Sequence, residues 1–172
     1  MAAMAILTLP RMSYRSAGLA AAVLAALVLG TALASERWGG VVPCALCLIE
    51  RWPYRIAIIL GLAAAVLPPP AARAALALVA LSMAVGAVLG AIHVGVEFRW
   101  WHSPLPECAA PAFSGGSIAE RLAHMPEAPA KPCDDPTYLI PGLKLSMAAM
   151  NLIVAAGFAA AAIWVAQRRP AA

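Results

Sequence analysis

The sequence predicts an all-α membrane protein, a four-transmembrane-helix bundle with a long outer loop between spans three and four. Apolar residues make up 63% of the 172 residues, and charged residues only 12%, about half the share in an average soluble domain. The apolar residues lie in blocks that are almost free of charge, and a bilayer core requires about 20 such residues per helix. The blocks leave no stretch long enough for a separate soluble domain, so residues 1–172 form one predicted membrane domain.

Four apolar segments give the predicted order of elements. The spans are expected at about 17–35, 48–67, 74–96 and 143–166, and the outer loops at 36–47 and 97–142. The second block reaches spanning length only if Leu48 to Tyr54 extends it, so the predicted span includes them. In the long loop, Ile118, Leu122 and Met125 recur at helical spacing, which fits a short amphipathic helix resting on the membrane or packing on the loop itself.

Basic residues predict which side of the membrane each loop faces. They flank the spans at three places: Arg11 with Arg15, Arg73, and Arg168 with Arg169. With four spans these places share one side, which the positive-inside rule makes cytoplasmic. The cysteines and acidic residues then lie outside or at the outer interface: Cys44, Cys47, Cys108, Cys133, Glu36, Glu50, Glu97, Glu107, Glu120, Glu127, Asp134 and Asp135.

The charges allow two other interpretations. The net charge of +4 does not indicate nucleic-acid binding, because the basic residues are scattered and have no interleaved aromatic residues. The first span, with its arginines, Ala/Leu core and Ala32-Leu33-Ala34 sequence, is also typical of a cleaved secretory signal peptide. Cleavage would leave three spans and place the first cysteine pair near a free N-terminus.

The cysteines form two unlike pairs. Cys44 and Cys47 make a C-x-x-C dithiol in the first outer loop, whereas Cys108 and Cys133 lie far apart in the second. An even number of cysteines facing an oxidising compartment favours disulfides. A C-x-x-C disulfide encloses too small a loop to be a useful staple, so its natural use is thiol–disulfide exchange.

The second pair has a structural and a catalytic interpretation. A Cys108–Cys133 disulfide would staple a long loop and stabilise the protein by a few kcal/mol. An all-cysteine zinc site usually requires two C-x-x-C knuckles, and Cys108 and Cys133 do not form one, so no metal is predicted. Taken together, the pairs predict an electron relay in which the mobile pair accepts electrons from a soluble partner and passes them to a dithiol at the membrane.

Two charged or titratable residues are candidates for the site beside the dithiol. Arg51 follows Cys47 by about one helical turn, so its cation would hold Cys47 as a thiolate and stabilise an anion on a reduced acceptor. The alternatives are an arginine that reaches lipid headgroups and a helix that begins or bends at Pro53. His93, at i,i+4 spacing from Glu97, is a weaker candidate, since an interhelical hydrogen bond explains it equally well.

Aromatic residues cluster near the outer ends of the predicted spans. They are typical of an interfacial belt, although some of them could line a pocket for a flat ring. The cluster comprises Trp38, Trp52, Tyr54, Trp100, Trp101 and Tyr138.

The chain resembles the bacterial disulfide bond formation protein B (DsbB) family. The similarity rests on P-C-A-L-C-L-I-E-R at 43–51, H-V-G-V-E at 93–97, G-L-K-L-S-M-A-A-M-N at 142–151, and the later cysteine pair. It covers nearly the whole chain. In the related vitamin K epoxide reductase homologues, the loop pair precedes the membrane C-x-x-C, which is the reverse of the order here.

The resemblance implies a quinone-linked thiol oxidase of the bacterial inner membrane, with its cysteines on the periplasmic side. Such proteins reoxidise a periplasmic thioredoxin-fold oxidase, DsbA, and reduce ubiquinone or menaquinone. By position, Cys108 would be attacked by the partner, Cys133 would exchange with Cys44, Cys47 would face the quinone, and Arg51 would help to bind it. The alternatives are a structural or interaction membrane protein with a stapled loop, and a small transporter, which the absence of an inverted repeat disfavours.

Overall fold

The computed structural model describes residues 12–108, 117, 131–140 and 142–168, and the regular elements in this part of the chain are helices. The all-α prediction is therefore confirmed. In chain order the helices are α1 (Tyr14–Arg37), α2 (Ala45–Ile49), α3 (Arg51–Val66), α4 (Pro69–Glu97) and α5 (Met147–Gln167). A short 3-10 helix at Pro106–Cys108 and an isolated antiparallel bridge between Tyr138 and Ser146 accompany them.

Three helices are long and apolar enough to cross a membrane. Among the described residues these are α1, α4 and α5, which carry the first, third and fourth predicted spans. Helix α3 has 16 residues, fewer than the range of about 17 to 25 that spanning helices occupy. The four-span count therefore stays a prediction, with α3 as the helix on which it depends.

Helix ends differ from the predicted spans because of local capping. Helix α4 begins at Pro69 rather than near 74, since proline is well suited to the first helical turn. Helix α5 begins at Met147 rather than 143, because the Ser146 hydroxyl caps it by accepting the Ala149 N–H at 3.2 Å. Helix α3 begins at Arg51 rather than 48, since the preceding residues form α2.

Pro53 occupies the first turn of α3. A proline there removes no helical hydrogen bond, because the first N–H groups of a helix have no partner within it. The helix therefore begins before the proline, and Arg51 is its first residue. The Pro53 carbonyl accepts a hydrogen bond from the Ser82 hydroxyl of α4 at 3.1 Å, so this turn is also fixed to its neighbour.

Small residues let the helices pack closely. Helix α1 packs on α3, α3 on α4, and α4 on α5. Where α1 meets α3, a Cβ at Gly18 would lie 2.5 Å from the Gly61 carbonyl oxygen, and one at Gly61 would lie 2.7 Å from the Gly18 oxygen. Only glycine fits such an approach of two backbones. The central core is formed by Ala21, Ala25, Tyr54, Ala57, Val79, Ala80, Met83, Ala155, Phe158, Ala159 and Ala162.

The start of α1 and the end of α5 lie at the same end of the bundle. The Tyr14 hydroxyl donates to the Arg168 carbonyl at 3.0 Å. A buried cluster at this end also contains Ala64 from the end of α3 and Ala72 from the start of α4. The described basic residues near these positions thus share one end, as the topology prediction requires; Arg11 and Arg169 lie outside the described residues.

The opposite end holds most of the aromatic cluster. Trp38, Trp52, Trp100, Trp101 and Tyr138 are exposed, as expected of an interfacial belt. Tyr54 differs, because only 3% of it is exposed and it packs in the core. The amphipathic helix predicted around Ile118 falls outside the described residues.

Candidate redox site

The two cysteine pairs meet in one buried cluster. Cys44, Cys108 and Cys133 pack together with Leu46 and Val96, and Cys47 lies against the same cluster. Cys108 and Cys133 form a disulfide that closes a sequence separation of 25 residues, as the stapled-loop interpretation predicted. Val96 belongs to α4 and Leu46 to α2. The loop disulfide therefore packs against both helices, and α2 is the one that carries the dithiol.

Cys44 and Cys47 are free thiols positioned by the short helix α2. Cys44 is the N-cap of α2, and its Sγ accepts the Cys47 backbone N–H at 3.3 Å. One helical turn then brings the two sulfurs together, with Sγ atoms 2.7 Å apart. The dithiol is therefore arranged for oxidation to a disulfide without a change of the helix around it.

The two thiols have opposite pKa shifts. The Cys47 thiol and then the Cys47 backbone N–H donate to Cys44 Sγ, and these hydrogen bonds lower the pKa of Cys44 despite its burial. The pKa of Cys47 is raised far above its ordinary range, because its proton is shared with Cys44 and the thiol is desolvated. In the reduced pair the thiolate thus forms on Cys44, whereas the sequence had placed it on Cys47 beside Arg51.

His93 connects the dithiol to a buried carboxylate. Its Nε2 lies 3.5 Å from Cys44 Sγ, and its Nδ1 lies 2.9 Å from Glu50 Oε1. His93 is 3% exposed and Glu50 is 6% exposed. A buried carboxylate is costly unless it is paired, so the Glu50–His93 contact accounts for both groups. His93 projects from α4 and Glu50 lies at the junction of α2 and α3, so the pair also joins these elements.

The second carboxylate oxygen of Glu50 accepts a hydrogen bond from a side chain of α5. Asn151 Nδ2 donates to Glu50 Oε2 at 2.9 Å, and the Tyr54 hydroxyl donates to Asn151 Oδ1 at 2.6 Å. A continuous line of contacts thus runs from Cys44 through His93, Glu50 and Asn151 to Tyr54. Every side-chain oxygen of Glu50 has a partner, which fixes the carboxylate against both sides of the bundle.

An apolar cavity of about 280 Å³ lies beside Cys47. Its polar wall includes Cys47, Glu50, Arg51, Tyr54 and Asn151. Helices α1 and α5 make few contacts with each other, and the cavity occupies the space between them. The apolar wall comprises Val28, Leu29, Ala32, Val41, Val42, Pro43, Leu139, Met147, Ala148, Met150 and Val154. A cavity with an apolar wall and a few polar groups at one end is typical of a site for a small organic molecule.

Arg51, one turn after Cys47 in the sequence, lies in the wall of the same cavity. Its guanidinium Nη2 forms an ion pair with Glu36 Oε2 at 2.7 Å, and the Arg51 side chain is 11% exposed. Glu36 lies near the end of α1, so the pair joins α1 to α3 at the cavity. His93, the weaker candidate in the sequence, lies against a cysteine sulfur, whereas Arg51 reaches the site through the cavity it shares with Cys47.

Glu97 and His93 contact different parts of the bundle. The Ser146 hydroxyl, which caps α5, donates to Glu97 Oε2. Glu97 therefore fastens the end of α4 to the start of α5, while His93, one turn earlier, faces the dithiol. The two residues, four positions apart on α4, therefore have separate partners.

The sequence analysis assigned no site role to Glu50 or Asn151, and it named Tyr54 only as one of the clustered aromatic residues, some of which could line a pocket for a flat ring. One signal was available for Glu50 and Asn151, since an ionisable or strongly polar side chain among apolar helical residues is usually functional. Tyr54 carried no such signal, because an aromatic residue near a span end is equally typical of a belt.

The comparison with protein families identifies one match. The family model of the disulfide bond formation protein DsbB matches residues 14–165, which include helices α1 to α4, all but the last two residues of α5, and all four cysteines. No curated protein and no solved structure matches the chain.

Proposed function

Because this chain belongs to the DsbB family of disulfide bond formation proteins, we propose that it is a membrane dithiol oxidase that passes electrons from a periplasmic DsbA-like thioredoxin-fold protein to a membrane quinone. The observation that carries the proposal is the meeting of both cysteine pairs in one cluster beside an apolar cavity. The protein would lie in the bacterial inner membrane with four spans and with its cysteines on the periplasmic side.

The proposed exchange begins at the loop disulfide. A partner thiolate attacks Cys108, forms a mixed disulfide and expels Cys133 as a thiolate. Cys133 then attacks Cys44 of the oxidised C-x-x-C pair and expels Cys47. The second partner thiol resolves the mixed disulfide, and Cys108 displaces Cys44 from Cys133. The partner leaves oxidised, the loop disulfide is restored, and Cys44 and Cys47 hold the two electrons as thiols.

Membership in this family implies a quinone, and the cavity fits its head group. The wall is largely apolar, Cys47 opens onto it, and the Arg51 cation and the Tyr54 hydroxyl supply polar contacts at one end. A bound quinone accepts two electrons and two protons. Arg51 would orient the ring and stabilise negative charge on its oxygen, while Cys47 would present its sulfur to the ring.

Two protons must leave the dithiol when it is reoxidised, and the buried dyad offers a path for one of them. His93 Nε2 faces Cys44 Sγ, and Glu50 both accepts from His93 Nδ1 and lines the cavity. A proton taken up by His93 from Cys44 can therefore pass to Glu50 at the cavity wall. Cys47 lines the cavity directly, so its own proton needs no relay.

The test is quinone reduction by the purified full-length protein supplied with a reduced thioredoxin-fold dithiol partner. We expect one quinone reduced per partner disulfide formed, and no reduction with the oxidised partner or with the Cys47→Ser variant. Partner oxidation without quinone reduction would leave a thiol exchanger with another acceptor. Failure of both reactions in a folded protein would favour the alternative, a structural membrane protein whose outer loop is stapled by Cys108–Cys133.

A further inference from the structure

Three side chains at the dithiol have the geometry of metal ligands. Cys44 Sγ, Cys47 Sγ and His93 Nε2 all lie within 4.8 Å of one another. Tetrahedral zinc with bonds of about 2.3 Å to sulfur and about 2.0 to 2.1 Å to nitrogen places a sulfur and a nitrogen ligand about 3.5 Å apart. The separation of Cys44 Sγ from His93 Nε2 is 3.5 Å.

The separation of the two sulfurs requires only a small adjustment. The two sulfurs are 2.7 Å apart, whereas two thiolates on one tetrahedral zinc lie about 3.8 Å apart. Opening the pair by about 1 Å is within the reach of a side-chain rotation at Cys47, which is only half-buried and borders the cavity. The Cys47 N–H that already donates to Cys44 Sγ would continue to stabilise a metal-bound thiolate.

His93 is held in the orientation that metal binding requires. Glu50 Oε1 lies 2.9 Å from His93 Nδ1, and an ionised carboxylate can only accept, so Nδ1 carries the proton and Nε2 presents its lone pair toward the sulfurs. A carboxylate behind a histidine is the usual support of a metal ligand, because it fixes the ring and raises its basicity. Asn151 in turn fixes Glu50 from the other side.

From this geometry we infer that the reduced Cys44–Cys47 pair and His93 bind one thiophilic metal ion, with Zn²⁺ as the reference cation, and that the oxidised pair does not. Binding is not a redox step: each thiol loses one proton, the two thiolates and neutral His93 coordinate the ion, and two protons are released. The sequence argument against zinc considered cysteines alone, and the histidine supplied by α4 provides the third ligand that it lacked.

The site would make the oxidase sensitive to metals in one redox state only. A metal ion that holds both thiolates prevents them from forming a disulfide, so catalysis would stop until the ion is removed. Three protein ligands leave a fourth coordination position. All three ligands are residues of this chain, so metal binding requires neither the quinone nor the partner.

The experiment uses the full-length Cys108→Ser/Cys133→Ser protein in detergent, so that the C-x-x-C pair supplies the only thiols. The protein is reduced, freed of reductant without oxygen, and titrated with Co²⁺ as a spectroscopic substitute for Zn²⁺. We expect sulfur-to-cobalt charge-transfer bands that saturate at one ion per chain and are displaced by Zn²⁺. The same polypeptide with its pair oxidised should give no bands. This control compares two redox states of one protein, so a difference in folding between variants cannot explain the result.

Variants assign the ligands in the same background. Cys44→Ser should abolish the charge-transfer bands or weaken them strongly, His93→Ala should weaken binding by at least tenfold, and Glu50→Gln by about 10- to 100-fold. His102→Ala is the matched control, because His102 is an exposed histidine outside the site and should leave binding unchanged. Circular dichroism of each variant verifies that it is folded.

A second measurement uses the unmodified cysteines. In the fully reduced wild-type chain, Zn²⁺ should protect Cys44 and Cys47 from maleimide, read by peptide mass, while Cys108 and Cys133 are labelled at their usual rate. Equal metal binding by the reduced and oxidised pair would overturn the inference. So would a His93→Ala variant that binds as tightly as His102→Ala, or equal protection of all four cysteines. None of these measurements includes a quinone or a partner, so a failed metal site leaves the proposed oxidase activity untouched.

Discussion

His93 of α4 presents its Nε2 to Cys44 Sγ at 3.5 Å while its Nδ1 is bound by Glu50. Glu50, which directly precedes Arg51 in the sequence motif, therefore links the dithiol to the polar interior of the bundle, and Arg51 does not. This relationship separates the two ends of the dithiol. Cys44 faces the loop disulfide and the histidine, and Cys47 faces the cavity.

The pH dependence of the reduced pair tests the position of the thiolate. In the Cys108→Ser/Cys133→Ser background, the pKa of Cys44 should lie below the ordinary value of 9.0, because the Cys47 thiol donates to it. Cys47→Ala removes that donor, so the pKa should rise. Iodoacetamide labelling rates measured across pH check both values. A lowered pKa stabilises the reduced fold above pH 9.0, and that contribution is lost as the pH falls through the folded value. An unchanged midpoint in Cys47→Ala would contradict the hydrogen-bond explanation.

Asn151 of α5 and Tyr54 of α3 should position Glu50 without taking part in thiol exchange with the partner. Tyr54→Phe removes one buried hydrogen bond and should lower the free energy of unfolding by about 1 kcal/mol, and Asn151→Ala, which leaves a Glu50 oxygen unsatisfied, by about 1 to 3 kcal/mol. Both variants should slow quinone reduction while oxidation of the loop pair by exchange stays normal. Thermal unfolding in detergent and single-turnover kinetics measure the two effects. Equal slowing of both steps would indicate a structural role only.

Arg51→Ala should weaken quinone use and leave thiol exchange with the partner largely intact. Loss of one charged hydrogen bond to the ring would raise the quinone KM about tenfold. Steady-state rates against quinone concentration measure this change. Glu36→Gln is the control, because it breaks the Arg51–Glu36 ion pair but keeps the cation in the cavity wall. If Glu36→Gln has the same effect as Arg51→Ala, the arginine acts by joining α1 to α3 rather than by contacting the quinone.

The crossing of α1 and α3 should tolerate no side chain. Gly18→Ala places a Cβ 2.5 Å from the Gly61 carbonyl oxygen, and the backbones must separate to admit it. Overpacking of this kind costs about 1 to 3 kcal/mol. Gly157→Ala is the matched control, since a Cβ there meets nothing within 4 Å, and an alanine in a helix should be neutral or slightly stabilising. Unfolding by denaturant or heat compares them, and equal stability of the two variants would contradict the packing argument.

The sequence predicted those features that depend on local patterns. Apolar length located α1, α4 and α5, and the motif around Cys44 and Cys47 indicated a thiol-exchange site. Capping moved the helix ends by several residues, because Ser146 and Pro69 act within one turn and the limits of an apolar block do not show where its helix begins. Helix α3 was the least certain, since its block is short and begins next to α2.

The arrangement of the site depends on contacts between distant residues, which no local pattern specifies. Asn151 follows Glu50 by 101 positions and meets it across the bundle, and His93 reaches Cys44 from a different helix. Proximity in sequence favoured Arg51 as the partner of Cys47. In the fold, Arg51 forms an ion pair with Glu36, and His93 lies beside the dithiol.

The order of exchange is tested most directly at Cys133. In Cys133→Ala, Cys108 has no internal disulfide, but it should still form a mixed disulfide with a partner cysteine when oxidant is present. Without the Cys133 thiolate the route to Cys44 is lost, so the mixed disulfide should accumulate because no local thiol carries the exchange forward. Acid quenching, alkylation and non-reducing gels detect this species. Cys108→Ala should not accumulate it, since this variant lacks the cysteine that the partner is proposed to attack. Normal turnover by Cys133→Ala would reduce the second pair to a loop staple and leave the dithiol at Cys44 and Cys47 to react with the partner directly.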